Sequence, residues 1–362
     1  MSTMRAYLLG LVGVLILSGA ARGEECTFDA PELTAECAAI NHQIAQWNAD
    51  PAAQDRLKRE ALNPASLISE TDRDPVDVVL RRTQALLADI CGMTNAPDLG
   101  VETRRLHRLA SNARRIAPDS PKRKDLFVEL CTLRRAIAVK NSLLDFDRIV
   151  FLKHGRARYE HMVDQYYGFH AARGGGVFVL EDAFGERPSA RDLLEDARVE
   201  NGRLRGKPLD GGSFISLDLS FDAQRILFAW TEAQTPVEPT DRTPMANLWN
   251  PQSTYHPFSS TLAGSELKQL TDGPLNDFDP CYLPNGRICF ISERRGGFLR
   301  CGIRPNPTYT LHSMRADGSD VIRLSYHETH EWHPSVSNEG MIVYTRWDYV
   351  DRDNDMAHHL WL

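Results

Sequence analysis

No C-x-x-C pair and no C-x-x-C-H occurs in these 362 residues, so no covalent c-type haem motif lies within the chain. There is no G-x-G-x-x-G, no P-loop and no G-x-S-x-G, which removes the usual nucleotide cradles and the serine-hydrolase elbow. Basic excess is missing too. The formal charge is −7, against the basic face that a general nucleic-acid binder needs. Run-length hydrophobicity is scarce: after residue 17 no segment is apolar enough to span a bilayer. The basic run RRLHRLASNARR at 104–115 is read as a solvated helix face.

The one apolar run present is AYLLGLVGVLIL, residues 6–17, with Arg5 before it and SGAARG after it. Positive n-region, short h-region and small residues are the pattern of a secretory signal over 1–23. The mature chain is then expected to begin near Glu24, periplasmic or secreted, with no transmembrane helix. Of the seven cysteines, Cys26, Cys37, Cys91 and Cys131 fall in the first half, and Cys281, Cys289 and Cys301 in the second. In an oxidising compartment such residues pair, and four of them allow three pairings.

Residues 24–145 read as a helical domain. In DPVDVVLRRTQALLADI, Asp74 is placed as N-cap with Pro75 at the first helical position, and Gly92 as the stop. SPKRKDLFVEL predicts a second start of the same kind at Ser120 and Pro121. The texture changes at Asp147, and 146–212 reads as a linking β-rich segment with RIVFLKH and GGGVFVLEDAF as strands.

From 213 to 362 a repeat takes over. YHPFSSTLAGSELKQLTDGPLNDFDPCYLPNGRICFISERRGG (255–297) and YTLHSMRADGSDVIRLSYHETHEWHPSVSNEGMIVYTRWDYVD (309–351) align without a gap. Tyr255/Tyr309, Gly264/Gly318, Ser265/Ser319, Pro280/Pro334 and Gly286/Gly340 are identical. A repeat of about 40–45 residues with several short strands has the period of a β-propeller blade. SFDAQRILFAWTEA (220–233) is a degenerate copy of LPNGRICFISERRG. Three blade units are therefore expected near 213–233, 255–297 and 309–351. Since about four to eight blades close a ring, the ring is expected to be incomplete. The fold class is α+β multidomain: helical domain first, then a partial β-propeller.

The grammar LTDGPxxDFDPCYLPNGRICFISERRGG resembles the TolB-type, WD40-like propeller repeat. DFDRIVFLKH, EHMVDQYYGFH, GGGVFVLEDAFG, LSYHETHEWHPSV and MIVYTRWDYVDRD resemble the hydrazine synthase alpha subunit and its bacterial homologues, over about residues 145–362. The resemblance implies an exported propeller protein, and the ending at HHLWL then reads as that of an N-terminal fragment. In the synthase itself, c-type haems lie beyond the propeller, and their motifs are missing here.

Three constellations could carry chemistry. His327, His330 and His333, with Glu328 and Glu331, form a dense run on a loop that enters a strand; with His358 they could hold zinc or a similar metal. The other reading of this run is loop hydrogen bonding. Neighbouring His358 and His359 point to opposite faces of a strand, so only one could join a site. Asp348, Asp351, Asp353 and Asp355 miss the EF-hand pattern, because Met356 stands where glycine is required. Tyr159, His161, Asp164, Tyr167 and His170, with Gln165 and Tyr166, form a candidate ligand-binding cluster ahead of Gly174–Gly176, or else a packed entry segment. Cys301, flanked by Arg300 and Arg304, is a candidate reactive thiol, a ligand, or a disulfide partner of Cys281 or Cys289. No cofactor is certain. The expected role is an exported binding or scaffold module of the cell envelope, with a protein or small-molecule ligand and no nucleic acid. The alternatives are the propeller part of a c-type-haem redox enzyme and a metal-dependent hydrolase using the His327–His333 loop.

Overall fold

The computed structural model describes residues 30–61, 63–155, 171–185, 187–232, 249–298, 307–350 and 355–362. They fall into two compact units. One holds residues up to Arg148 with Glu181–Ser189, and the other Ile149–Leu180 with Ala190–Leu362. Among the described residues no helix is long and apolar enough to cross a membrane.

The first unit is helical: α1 (Ala30–Ala49), α2 (Pro51–Glu60), α3 (Pro75–Cys91), α4 (Gly100–Arg115) and α5 (Lys122–Ala138). Its core is one cluster that includes Val78, Val79, Leu106, Leu109, Phe127 and Leu130. Helix α3 starts as its sequence predicts. Asp74 accepts a bond from the Asp77 amide at 3.1 Å, and Pro75 fills the first turn. It stops at Gly92, although this glycine stays right-handed at φ −82° and needs no left-handed freedom. Helix α5 differs from expectation. It begins at Lys122, one residue later than a Ser120 cap allows, so Pro121 is the N-cap and no side chain caps the helix. Its start is held instead by Arg123, a buried guanidinium bonded to Asp74 (2.6 Å), Asp77 (3.0 Å) and the Ala113 carbonyl (2.6 Å). On α4, Leu106, Leu109 and Ala113 face the core, while Arg104, Arg108, Arg114 and Arg115 face solvent, so that basic run is a solvated face.

The second unit is a series of antiparallel sheets. β1 (Ile149–His154), β2 (Gly175–Glu181) and β3 (Ser189–Asp192) form the first. β4 (Ser213–Leu219), β5 (Arg225–Thr231), β6 (His256–Thr261) and β7 (Lys268–Gln269) form the second. β8 (Asp277–Tyr282), β9 (Arg287–Ser292), β10 (Thr310–Arg315) and β11 (Ile322–Arg323) form the third. β12 (Glu331–Val336), β13 (Ile342–Val350) and β14 (Asp355–Trp361) form the fourth. Strands neighbouring in sequence pair throughout, as in a meander. Successive sheets pack face to face. Val177, Phe214, Phe228 and Phe258 fill the space between the first two, and Tyr255, Phe278, Ile291, Tyr309, Trp332 and Trp347 that between the later ones. This is propeller-like stacking of three- and four-stranded sheets, and the described residues do not close a ring.

The repeat and the sheets are out of phase, which corrects the expected blade units. The copy at 255–297 contains β6 and β7, which finish the second sheet, and β8 and β9, which start the third. The copy at 309–351 likewise contains β10 and β11 of the third sheet and β12 and β13 of the fourth. Residues 213–231 hold only β4 and β5, the opening half of a sheet that β6 and β7 complete from His256 onward. A periodic pattern fixes a period but no origin, so strand pairing alone sets the phase. Gly318 shows why one repeated glycine is kept. Its φ is 86°, and a Cβ there would lie 2.1 Å from the Leu270 carbonyl oxygen.

Candidate functional site

The innermost strands β4, β8 and β12 each carry a β-bulge, between Ile215 and Leu217, Phe278 and Cys281, and Trp332 and Ser335. A left-handed non-glycine residue sits at each: Ser216 (φ 55°), Asp279 (φ 48°) and His333 (φ 52°). Bulges re-aim side chains, and such backbone strain persists only where the surroundings impose it. Pro280 and Pro334 follow two of them, at positions where a ladder donor is not needed.

The three bulges are joined laterally. Buried Asp279 accepts the Ser216 hydroxyl through Oδ1. Through Oδ2 it accepts the His333 amide at 3.0 Å and pairs with His333 Nδ1 at 3.1 Å. The His333 side chain is 65% exposed, so the ladder runs from a buried carboxylate to a solvent-facing imidazole. The hydrogen bond to Asp279 raises the His333 pKa above its ordinary value, outweighing burial. A carboxylate that orients an imidazole in this way can position a general base, a hydrogen-bond donor to a ligand, or a metal ligand.

A second polar layer lies where the inner strands begin. Asp277 is fully buried and accepts from Ser292 Oγ and Arg294, both at 2.6 Å. Glu331, its counterpart in the next copy, accepts the Leu311 amide at 2.8 Å and the Ser325 hydroxyl. Glu293 accepts Trp249 Nε1, the Asn276 amide and Asn276 Nδ2, each at 3.0 Å, while burial pushes its pKa up to about 7. These carboxylates brace the segments that connect the strands. The same end of the sheets carries the C-terminal ends of β5 and β9.

Glu293 sets a pH dependence. The folded carboxyl keeps its proton up to about pH 7, whereas the unfolded one releases it near 4.5, so its stabilisation is full below that lower value and fades as pH rises to about 7. His333 acts in the same direction, from about 6.5 up through its raised folded pKa. Buried His256 and His312 act oppositely, their contribution being lost as pH falls. Melting temperatures between pH 5 and 8 are expected to fall less in Glu293→Gln than in the parent; parallel curves would refute the assignment.

The loop histidines do not converge. His327 Nε2 lies by the Thr329 hydroxyl, 3.3 Å from the Trp347 carbonyl oxygen and 3.7 Å from Asp348. His330 is fully buried, its ring centroid 4.3 Å from Tyr309, 5.0 Å from Trp332 and 5.4 Å from Trp347. Its Nδ1 accepts the Tyr309 amide at 3.3 Å. His333 turns to Asp279. His358, opposite Trp347 on β14, stacks on Trp332 at 5.4 Å and Trp347 at 5.7 Å. Among the described residues no group of three or more histidine, cysteine or acidic side chains could hold a metal ion. His330 is a packing residue here. His330→Asn keeps an acceptor near Nδ1 but loses the stacking, and is expected to cost about 1–2 kcal/mol in urea unfolding.

Tyr159, His161, Asp164, Gln165, Tyr166, Tyr167, His170 and Cys301 lie outside the described residues, as do Asp351 and Asp353. Asp348 bonds Arg346 at 2.8 Å. Ser216, Asp279 and Glu293 belong to none of the three constellations that stand out in the sequence. The signal for Asp279 was present: Asp279-Pro280 and His333-Pro334 occupy the same place in the two copies.

No protein-family model and no curated protein matches the chain. Solved structures give partial matches. A TolB-like protein of Agrobacterium tumefaciens is 17% identical, with 51% of each chain covered and a TM-score of 0.33. Hydrazine synthase of Kuenenia stuttgartiensis is 13% identical over 56% of this chain and 28% of that one, TM-score 0.36. Oligogalacturonate lyase of Vibrio parahaemolyticus is 13% identical over 55% of this chain and 67% of that one, TM-score 0.27. The chain thus spans about half of the first protein and under a third of the second. Both belong to the groups that its repeat and its 145–362 motifs resemble.

Proposed function

We propose that this chain is the propeller-bearing part of an exported binding or scaffold module of the cell envelope, and that its ligand is recognised at the inner-strand bulges. One observation carries the reading: Ser216, Asp279 and His333, from three successive sheets, form one bonded polar ladder that opens to solvent at an oriented imidazole. Such a donor on a rigid sheet framework suits recognition of a hydrogen-bond acceptor on a protein or small molecule. The resemblance of residues 6–23 to a secretory signal supports the location.

Envelope extract of the source cell, passed over the immobilised full chain, is the test. A component retained by the parent and lost from a folded His333→Gln variant supports the reading; equal retention by both, or none, rejects it. N-terminal sequencing of the exported protein is expected to begin near Glu24, and recovery only in the cytoplasm would reject export.

A further inference from the structure

Cys281 and Cys289 are directly opposed across the β8–β9 ladder, in the one described sheet where both members of this pair are cysteine. Directly opposed residues of an antiparallel pair lie about 4.5–5.5 Å apart at Cα, inside the range of about 4.4–6.8 Å that a disulfide spans. In this structure both are free thiols. Both side chains are buried, at 4% and 0% exposure.

The sister sheets show that the fold does not require this pair. The corresponding opposed residues are Asp218 and Leu227 in the preceding sheet, and Ser335 and Val343 in the following one. Packing at this position accepts a polar residue facing an aliphatic one, so two matched thiols are a local choice of the third sheet. Cys37, Cys91 and Cys131 belong to the helical unit.

We propose that Cys281 and Cys289 form a cross-strand disulfide when the chain folds in the presence of a thiol-disulfide oxidant. One cysteine, as thiolate, attacks the oxidant's disulfide, forming a mixed disulfide and releasing one thiol. The second cysteine gives its proton to water and its sulfur attacks the first, forming the intramolecular bond and releasing the other thiol. Two protein thiols are oxidised and one external disulfide is reduced to two thiols. Because both sulfurs are buried in the finished sheet, the exchange takes place during folding or on opening of the hairpin. This assignment leaves Cys301 without either of these two as partner. It stands independently of where the protein resides.

Refolding the full chain in oxidised and reduced glutathione, followed by alkylation in denaturant and tryptic mapping, tests this. Trypsin cuts after Lys268, Arg287 and Arg294, so the two cysteines fall on separate peptides, 269–287 and 288–294. The expected product is these peptides joined, two hydrogens lighter than their sum, and separated by reductant. Both cysteines alkylated, or either joined to Cys301 or another cysteine, overturns the proposal. A second measurement uses Cys281→Ser/Cys289→Val, which copies the Ser335–Val343 pair. The difference in unfolding midpoint between oxidised and reduced parent is expected to vanish in this variant, and its persistence assigns the effect to another bond and overturns the proposal.

Discussion

Replacing Asp279 by alanine is expected to destabilise the β-rich unit by about 3–4 kcal/mol. The change removes a charge-assisted bond to His333, of about 1.5–3 kcal/mol, and leaves the Ser216 hydroxyl facing an apolar gap. It also puts alanine at a left-handed φ of 48°, which costs roughly 1–2 kcal/mol more than glycine there. Asp279→Gly is therefore expected to be milder than Asp279→Ala by about 1 kcal/mol, although both lose the carboxylate. Asp279→Asn keeps hydrogen-bond acceptance but loses the charge, so the His333 pKa, read by NMR titration, is expected to drop back toward 6.5. Urea unfolding followed by tryptophan fluorescence measures the stabilities. Equal costs for glycine and alanine would refute the backbone argument, and an unmoved His333 titration would refute the pairing.

Arg123→Ala is expected to cost the helical unit about 3–5 kcal/mol, because it strands two acidic partners that are themselves mostly buried. Asp77 shows how strongly the cluster is bound. Burial alone would raise its pKa, yet hydrogen bonds from Arg73 and Arg123 hold it below the ordinary value. Triple replacement of Arg123, Asp74 and Asp77 by apolar residues of similar volume is expected to recover part of the loss, since no buried charge is then left unpaired and the released Arg73 is exposed enough to be solvated. The helical circular-dichroism signal of the full chain reports the transition, with exposed Arg115→Ala as the neutral control. A loss below about 1 kcal/mol for Arg123→Ala would mean that water replaces the guanidinium.

Local chemistry was legible in the sequence and lateral chemistry was not. Asp74-Pro75 announces a helix start because a cap acts within three residues. Ser120-Pro121 has the same look, yet α5 begins one residue later, because a buried guanidinium reaching Asp74 across 49 positions organises that corner. The duplicated strands were visible because β-forming runs and turn glycines recur in register. The bulge ladder was not, since its bonds join residues 63 and 54 positions apart on different sheets. HETHEWH reads in sequence either as a metal site or as loop hydrogen bonding, and its rings have different neighbours: His327 has Thr329, His330 has Tyr309 and two tryptophans, His333 has Asp279.

The offset between repeat and sheet has a practical bearing on how the molecule can be cut. A boundary placed between the two copies, within 298–308, parts β9 from β10 and leaves a half-sheet with a raw edge on either piece. A boundary within 271–276 or 324–330 keeps whole sheets but divides a copy. The duplicated segment is thus a staple rather than a brick: each one clasps two neighbouring sheets, and losing any one of them loosens both.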